Sequence, residues 1–216
     1  MDKIIEYYDK FSEVLAEAYK VPNPRHQAIR RVLNKLILPG MNVLDLGCGI
    51  GTLSKIALQL GADNVLGVDI SPKMIEKAIE LNPGIVFVSA SITEYVPPFT
   101  PDVIILSDIL EHIPYANLDK LYETILKYTY KRNPYLKIFV NIPYYPIQQF
   151  LHSEHPDKQQ IVDENYSTAS LLEDFNRIYF IPERIDIYGV DVDCQYVNII
   201  FKTKESFYET YRKVFQ

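Results

Sequence analysis

The sequence is poor in cysteine, and it has no long apolar run. Its two cysteines, Cys48 and Cys194, form neither a C-x-x-C pair nor a zinc-ligand spacing. This argues against a disulfide framework and favours the reducing cytoplasm as the compartment. No stretch approaches the roughly 20 apolar residues that a membrane-spanning helix needs. The N-terminus carries no apolar signal core, so we expect neither a secretory signal nor a transit peptide there.

Positive charge is also in the minority. The 22 lysines and arginines are outnumbered by 28 aspartates and glutamates, which gives a formal net charge of −6. This balance argues against broad, salt-driven binding of nucleic acid. Hydrophobic residues make up 48% of the chain and charged residues 23%, which is typical of a globular protein. The length favours one domain over two.

The sequence does contain a regular alternation of apolar patterns. Helical spacing predicts two helices before residue 40. Short apolar runs predict strands at 41–46, 64–69, 85–88, 102–107 and 135–142. A last helix is predicted over 168–179, and two closing strands, near 183–190 and 194–202, lie close enough in sequence to pair antiparallel. The alternation predicts an α/β fold with a mostly parallel sheet and helices on both faces.

Glycine is sparse, yet three of the eight glycines fall within five positions. Gly47, Gly49 and Gly51 belong to the sequence VLDLGCGIGTLS, residues 43–54, which follows a predicted strand and opens a helix. In open α/β sheets, ligands bind at the carboxyl ends of the strands. Glycines in such a loop let a ligand approach the backbone closely. The loop therefore indicates a cofactor site.

Two nucleotide-type cofactors are candidates for this loop. A dinucleotide prefers the spacing G-x-G-x-x-G, with its pyrophosphate at the helix N-terminus, whereas here Thr52 stands at the last glycine position. Asp45, at the end of the strand, would repel a pyrophosphate but attract the sulfonium and ammonium of S-adenosylmethionine. Asp69 ends the second strand and can accept hydrogen bonds from the ribose of either cofactor. The pattern favours S-adenosylmethionine.

Three segments carry a family resemblance. They are VLDLGCGIGTLS at 43–54, GVDISPKMIEKA at 67–78 and PDVIILSDILEHIP at 101–114, and they resemble class I S-adenosylmethionine-dependent methyltransferases. The resemblance extends over about residues 25 to 142, and less specifically to 202. It implies a Rossmann-like, seven-stranded, mostly parallel sheet whose last strand is antiparallel, with a helical extension at the N-terminus.

The resemblance also implies a set of cofactor contacts. The main chain of the glycine loop would face the methionine portion, Asp69 would hold the ribose, and Ile70 and Met74 would border the adenine. Ser91 stands where many members have an acid for the adenine amino group, and it would be a neutral partner. In this family the N-terminal helices close over the cofactor. The predicted cofactor-binding set is Asp45, Gly47, Cys48, Gly49, Gly51, Asp69, Ile70, Met74, Ser91, Ile92, Ser107 and Tyr8.

The segment after the fourth strand, residues 107–114, should border the methyl group. His112 is the candidate catalytic residue, because an imidazole titrates near neutral pH and suits a general base for a hydroxyl acceptor. Alternatively, His112 lines the cofactor pocket and Glu111 is a hydrogen-bonding scaffold. The favoured interpretation includes no metal.

Two other functions remain open. Asp108, Glu111 and His112, with His152 or His155, could bind a divalent cation, as in metal-dependent methyltransferases that modify the terminal 2′-hydroxyl of small RNAs. The chain could also be a non-catalytic cofactor-binding partner subunit.

The irregular stretch 143–166 bears on the acceptor. It is too long for a routine connection, so it is either an active-site cover or a separate small element. Residues 151–164 are similar to a segment that lies over the acceptor site in small-molecule and glycan-pathway methyltransferases. Tyr144, Tyr145 and Tyr166 could shape that pocket. Asn141 begins a sequence, NIPY, that looks like an N-methyltransferase motif, but it follows the wrong strand.

We therefore expect a methyltransferase with a small-molecule, sugar-containing or lipid-linked acceptor, methylated at oxygen. Nucleic acid is not the expected partner, and the sequence leaves the oligomeric state open. A single domain over 1–216 is predicted, with N-terminal helices at 1–40, a cofactor-binding core at 41–142, an acceptor-side insertion at 143–166, and a C-terminal helix and strands at 167–216.

Overall fold

The computed structural model of the chain describes residues 2–21, 23–129, 133, 135–156, 160–164, 166–191 and 194–204. Residues 157–159 of the predicted acceptor-side segment and the end of the chain after 204 lie outside the described residues. None of the helices in the described part has both the length and the apolar character that a membrane crossing requires.

Seven strands form one mixed sheet, as predicted. They are β1 (Asn42–Leu46), β2 (Asn64–Asp69), β3 (Val86–Ser89), β4 (Val103–Ser107), β5 (Lys137–Pro143), β6 (Phe180–Asp191) and β7 (Cys194–Thr203). Their order in the sheet is β3-β2-β1-β4-β5-β7-β6. The first five strands are parallel, and β7 lies antiparallel between β5 and β6. The Rossmann-like architecture implied by the resemblance is confirmed.

The helices of the described part are α1 (Asp2–Ala18), α2 (Pro24–Leu36), α3 (Thr52–Gln59), α4 (Pro72–Leu81), α5 (Tyr115–Thr129), α6 (Tyr145–Glu154) and α7 (Thr168–Arg177), with a single 3-10 turn at Leu110–His112. The first two form the predicted N-terminal extension. Local sequence specifies the start of α4, because the Ser71 side chain accepts a hydrogen bond from the Met74 amide at 3.1 Å and Pro72 follows it.

The sheet is buried on both faces because its central strands alternate between two cores. Val103 and Ile105 of β4 pack with residues of α2 and α3, whereas Ile104 and Leu106 pack with residues of α5 and α7. All four side chains are fully buried. Successive side chains of a strand point to opposite faces, so an uninterrupted apolar run is what a strand covered on both sides requires.

The sequence did not predict α6, which occupies the first part of the 143–166 stretch. Pro146 lies in its first turn, where a missing amide hydrogen does no harm, so this proline is compatible with the start of a helix. This helix forms part of the wall of the cavity described below.

Candidate functional site

A cavity of about 930 Å³ opens at the carboxyl ends of the strands. Its walls come from α1, the loop after β1, the end of β2, the turn after β4, and α6 with the loop that follows it. This is where ligands bind in open α/β sheets. The walls therefore bring together five segments from different parts of the sequence.

Most of the predicted site residues line this cavity. They are Tyr8, Asp45, Gly47, Cys48, Gly49, Asp69, Ile70, Met74, Ser91, Ile92, Ser107 and His112. Gly51 is not among the lining residues. It precedes α3 with a φ of +81°, and a Cβ there would lie 2.6 Å from the Phe87 ring and 2.8 Å from the Asn82 amide nitrogen. In this structure the lack of a side chain at Gly51 lets Phe87 and Asn82 pack against its backbone.

The glycine loop is tied to the neighbouring strand. The amides of Gly47 and Cys48 both donate to the Val68 carbonyl, at 2.8 and 3.0 Å. The two carboxylate oxygens of Asp69 accept hydrogen bonds from the amides of Gly49 and Ser71, each at 2.9 Å. Asp69 therefore joins the loop to the start of α4. Burial raises the pKa of Asp69, and the amide hydrogen bonds oppose that rise.

Asp45 lies almost fully buried beside this loop. It accepts a hydrogen bond from the Ser54 hydroxyl at 2.6 Å. Burial raises its pKa to about 6, and the nearby Asp69 charge adds to that effect. Burial and the same two carboxylates raise the pKa of the Cys48 thiol. This end of the cavity therefore holds two buried acids and a neutral thiol, which favours a cationic ligand.

Helix α1 covers the same end of the cavity. Asp9 accepts hydrogen bonds from the Ser71 hydroxyl at 2.5 Å and from the Lys73 amide at 3.2 Å. At the other end of the helix, the Tyr19 hydroxyl donates to the Asn82 side chain at 2.7 Å. These contacts fix α1 on α4, while its apolar face, with Tyr8, lines the cavity. Because of burial, the pKa of the Tyr8 phenol is raised.

Arg25 of α2 reaches the carboxyl ends of β4 and β5. Its guanidinium pairs with Asp108 and donates to the side-chain oxygens of Asn141, at 2.6 Å, and Ser107, at 3.4 Å. The same guanidinium lies 4.3 Å from the centre of the Tyr196 ring. Asp108 has a φ of +47°, a left-handed conformation that is uncommon outside glycine. Asn141, set aside as a motif coincidence, therefore holds Arg25 in place.

The Glu111–His112 pair lies on the turn after β4. The Nδ1 atom of His112 is 2.8 Å from the Val162 carbonyl oxygen, and the Glu164 amide donates to the Glu111 carbonyl at 2.7 Å. Because a carbonyl only accepts, Nδ1 carries the proton and Nε2 keeps its lone pair. Burial raises the pKa of the Glu111 carboxyl, whose Oε2 atom is buried without a hydrogen-bond partner.

Two parts of the chain form the opposite wall, α6 and residues 160–164, called the strap below. Gln148 of α6 donates to Asp163 of the strap at 3.0 Å, and His152 Nε2 lies 3.1 Å from the same carboxylate. Tyr8 donates to Gln160 at 3.3 Å, which joins the strap to α1. Sequence reasoning missed Gln148 and Asp163. The lining residues Ile147, Gln148, Leu151, His152 and His155 do have the spacing of one helical face, which could have revealed them.

Three tyrosines expected to shape the acceptor pocket are not lining residues. Tyr166 is buried in the core beside Tyr115, and Tyr144 packs against the same core. In place of phenols, α6 and the strap supply amides, an imidazole and a carboxylate. The prediction that these tyrosines shape the pocket is wrong. They lie at or near the ends of α6 and of the strap, and other side chains of α6 and of the strap line the cavity instead.

Among the described residues, no group of three or more His, Cys, Asp or Glu side chains is arranged to hold a metal ion. Asp108 pairs with Arg25, and His152 pairs with Asp163. The hypothesis of a metal-dependent RNA methyltransferase therefore finds no set of metal ligands among the described residues.

Residues 43–131 match a family model described as a methyltransferase domain. A ribosomal protein L11 methyltransferase from Thermosipho africanus (strain TCF52B) is 56% identical over 50 residues, which is 23% of this chain and 19% of that protein. The match thus spans about a fifth of the length of the curated relative.

Solved structures resemble most of the chain. The PH0226 protein from Pyrococcus horikoshii OT3 has a TM-score of 0.68 at 20% identity, over 83% of this chain and 90% of the other. Magnesium protoporphyrin IX methyltransferase (ChlM) from Synechocystis PCC 6803, with bound SAH, has a TM-score of 0.66 at 20% identity, over 83% and 84%. At such identities the likeness shows the fold.

Proposed function

We propose that the chain is a class I S-adenosylmethionine-dependent methyltransferase that methylates a small-molecule, sugar-containing or lipid-linked acceptor at an oxygen atom. The observation that carries this proposal is one cavity with two unlike halves. Buried acids and the glycine loop form one half, and α6 and the strap, which contribute amide, imidazole and carboxylate groups, form the other. A methyl donor and an acceptor need to lie side by side in this way.

The residues of the first half fit the family's cofactor. Asp45 offers a carboxylate to a sulfonium or an ammonium, and Asp69 offers acceptors to ribose hydroxyls. A Cβ added to Gly49 would meet nothing within 4 Å, so space lies open in front of that loop residue. Ile70 and Met74 provide apolar surface for an adenine. When bound, S-adenosylmethionine supplies an activated methyl group on a positively charged sulfur.

The second half supports a small, hydroxylated acceptor. Single-ligand pockets range from about 300 to 1,000 Å³, so a cavity of about 930 Å³ has room for a modest acceptor beside the cofactor. Gln148, His152 and Asp163 offer hydrogen bonds rather than apolar surface. The names of the similar proteins point to a ribosomal protein and to a porphyrin, two unlike acceptors, so we argue the acceptor from the cavity wall.

The sequence predicts His112 as a base, and the residue lies on the side of β4. It lines the cavity, and the Val162 carbonyl holds its Nδ1–H, which leaves Nε2 as a proton acceptor. A partner subunit without activity would more simply have this cavity filled by side chains. The open cavity therefore favours an enzyme over that alternative.

A labelling experiment tests the proposed function. The pure protein is incubated with methyl-labelled S-adenosylmethionine and an extract of the organism that encodes it, and RNA, protein, lipid and small-molecule pools are separated. Label in the lipid or small-molecule pool, absent with Asp69→Ala, supports the proposal. Label in nuclease-sensitive or protein material overturns the acceptor class. No label in any pool, despite calorimetric binding of the cofactor, favours the non-catalytic partner.

A further inference from the structure

A histidine–aspartate pair lies on the acceptor side of the cavity. His152 Nε2 is 3.1 Å from Asp163 Oδ2, and the two side chains are 16% and 13% exposed. Both residues line the cavity. We propose that His152, oriented by Asp163, takes the proton from the acceptor hydroxyl, so that His152 is a catalytic residue and Asp163 a positioning residue. This inference rests on the proposed function and deepens it.

Asp163 is itself held in place from two sides. Gln148 Nε2 donates to Oδ1 at 3.0 Å, and the Gln160 amide donates to Oδ2 at 3.4 Å. The carboxylate is therefore preorganised before any ligand arrives, and so is the imidazole that pairs with it.

The pair sets the tautomer of His152. Asp163 Oδ2 lies 3.1 Å from Nε2, and a negative oxygen there favours a proton on Nε2, which leaves the lone pair on Nδ1. When Nδ1 takes a proton, the adjacent negative charge stabilises the imidazolium that forms. An imidazole oriented by a carboxylate on its far nitrogen is the arrangement that general bases use.

The surroundings of the two candidate histidines differ in charge. His112 is oriented by the neutral Val162 carbonyl, whereas His152 faces a carboxylate. A full charge stabilises an imidazolium more strongly than a carbonyl dipole does. Other titratable residues that line the cavity include Tyr8 of α1, Glu111 and His112 after β4, Lys120 of α5 and His155 after α6. The positive charges among the described lining residues are Lys120 and Arg25, and Arg25 is paired with Asp108.

The step balances in atoms and electrons. The acceptor oxygen forms a bond to the methyl carbon, and the carbon–sulfur bond breaks with its electron pair remaining on sulfur. The hydroxyl proton moves to Nδ1 of His152 and is later released to water. The acceptor class that this requires is an alcohol or sugar hydroxyl, which needs a base as the new bond forms.

Two matched substitutions test the inference. In His152→Gln, the amide nitrogen takes the place of Nε2 and keeps an N–H group beside the Asp163 carboxylate. In His112→Asn, the amide nitrogen takes the place of Nδ1 and keeps the bond to Val162. With the methylated pool as substrate, we expect His152→Gln to lower turnover by about 10²- to 10⁴-fold. The cofactor dissociation constant of His152→Gln should stay near wild type, and its loss of turnover should clearly exceed that of His112→Asn; the reverse order would overturn the inference.

The pH profile separates a base from a structural tether. At saturating cofactor, the wild-type turnover should fall toward acid pH, and the residual turnover of His152→Gln should lack that fall. If His152→Gln keeps its turnover, or if it loses cofactor binding instead, the inference is wrong while the proposed function stands. If the wild-type protein methylates nothing, the proposed function fails and the inference falls with it.

Imidazole nitrogen resonances give a readout that does not depend on turnover. We expect His152 in the Nε2–H tautomer in the wild-type protein and a mixture of tautomers in Asp163→Asn. A wild-type His152 in the Nδ1–H tautomer would overturn the inference.

Discussion

At the scale of single residues, the cofactor half of the cavity is governed by buried acids. Asp45 and Asp69 are kept from water, and each has a raised pKa because burial disfavours the charged form. A bound cation offsets the unfavourable burial of these carboxylates, because it stabilises their charged form. Asp45 therefore links ligand binding to pH in a range that is easy to measure.

We predict that cofactor affinity weakens as the pH falls through about 6, because Asp45 then becomes neutral and no longer attracts a cation. Above that pH the affinity should level off. Calorimetric titrations between pH 5 and 8 measure this, and Asp45→Asn should bind weakly at all pH values with a flatter profile. The exposed Asp63, changed to Asn, is the matched control. An unchanged profile in Asp45→Asn would contradict the prediction.

The same shift affects stability. The folded-state pKa of Asp45 is raised from 3.8 to about 6. Its contribution to the free energy of unfolding is therefore present below about pH 4 and is lost as the pH rises through 6. Asp45→Asn should therefore gain stability relative to wild type above pH 6, in urea unfolding without ligand. A relative loss there would show that the Ser54 hydrogen bond outweighs the burial of charge.

Two glycines of one loop give a further prediction. Gly47 and Gly49 have φ values of +76° and +51°, so alanine at either position costs about 1 kcal/mol in backbone strain. At Gly47 a Cβ would also lie 2.5 Å from the Ile109 side chain, whereas at Gly49 it meets nothing. Gly47→Ala should lower the free energy of unfolding by clearly more than Gly49→Ala, measured by urea unfolding. Equal losses would refute the steric argument.

At the scale of elements, α1 acts as a cover that polar contacts attach to α4. Asp9 supplies two of these contacts, and Glu13 pairs with Lys77 at 3.2 Å. Its inner face lines a cavity, so little packing holds it from beneath. The attachment should therefore govern how firmly the cover holds a ligand.

We expect Asp9→Ala to raise the cofactor dissociation constant by about 5- to 30-fold, since two hydrogen bonds of roughly 1 kcal/mol each are lost. Amide hydrogen exchange in α1 should become faster in the same variant. Glu6→Ala, which removes only an exposed pair with Lys10 on the same helix, should change neither quantity. If the two variants behave alike, α1 is not attached through Asp9.

At the scale of the whole molecule, Arg25 joins the N-terminal extension to the sheet. Its partners lie on the turn after β4, on β5 and on β7, so one side chain connects four elements. The side chain is 14% exposed, and its Nε atom is buried without a hydrogen-bond partner. Removing one partner of such a buried ion pair is unfavourable, because the remaining charge stays buried without its partner.

Arg25→Met should lower the free energy of unfolding by roughly 3 kcal/mol, and a double-mutant cycle with Asp108→Asn should show coupling above about 1 kcal/mol. The exposed pair Lys10–Glu6 should show much weaker coupling in the same kind of cycle. Similar coupling in the two pairs would mean that Arg25 is not a structural connection.

Local patterns determined much of this protein. Apolar runs specified the strands because side chains alternate across a buried sheet, and β2 occupies the predicted residues 64–69. Ser71 and Pro72 started α4, and the glycine loop with its two acids marked the cofactor half of the cavity. Each of these signals lies within a few neighbouring residues, where backbone conformation and spacing suffice.

Only the tertiary structure decided the rest. Arg25 meets Asp108 across 83 positions because the packing of α2 on the sheet brings them together. Asp163 reaches His152 because α6 and the strap fold against each other, and Gly51 serves packing because β3 places Phe87 beside it. These contacts depend on strand order and helix packing, which join distant segments and leave no local pattern in the sequence. The acceptor wall consists mostly of such contacts, so the sequence determined the cofactor half and the tertiary structure the acceptor half.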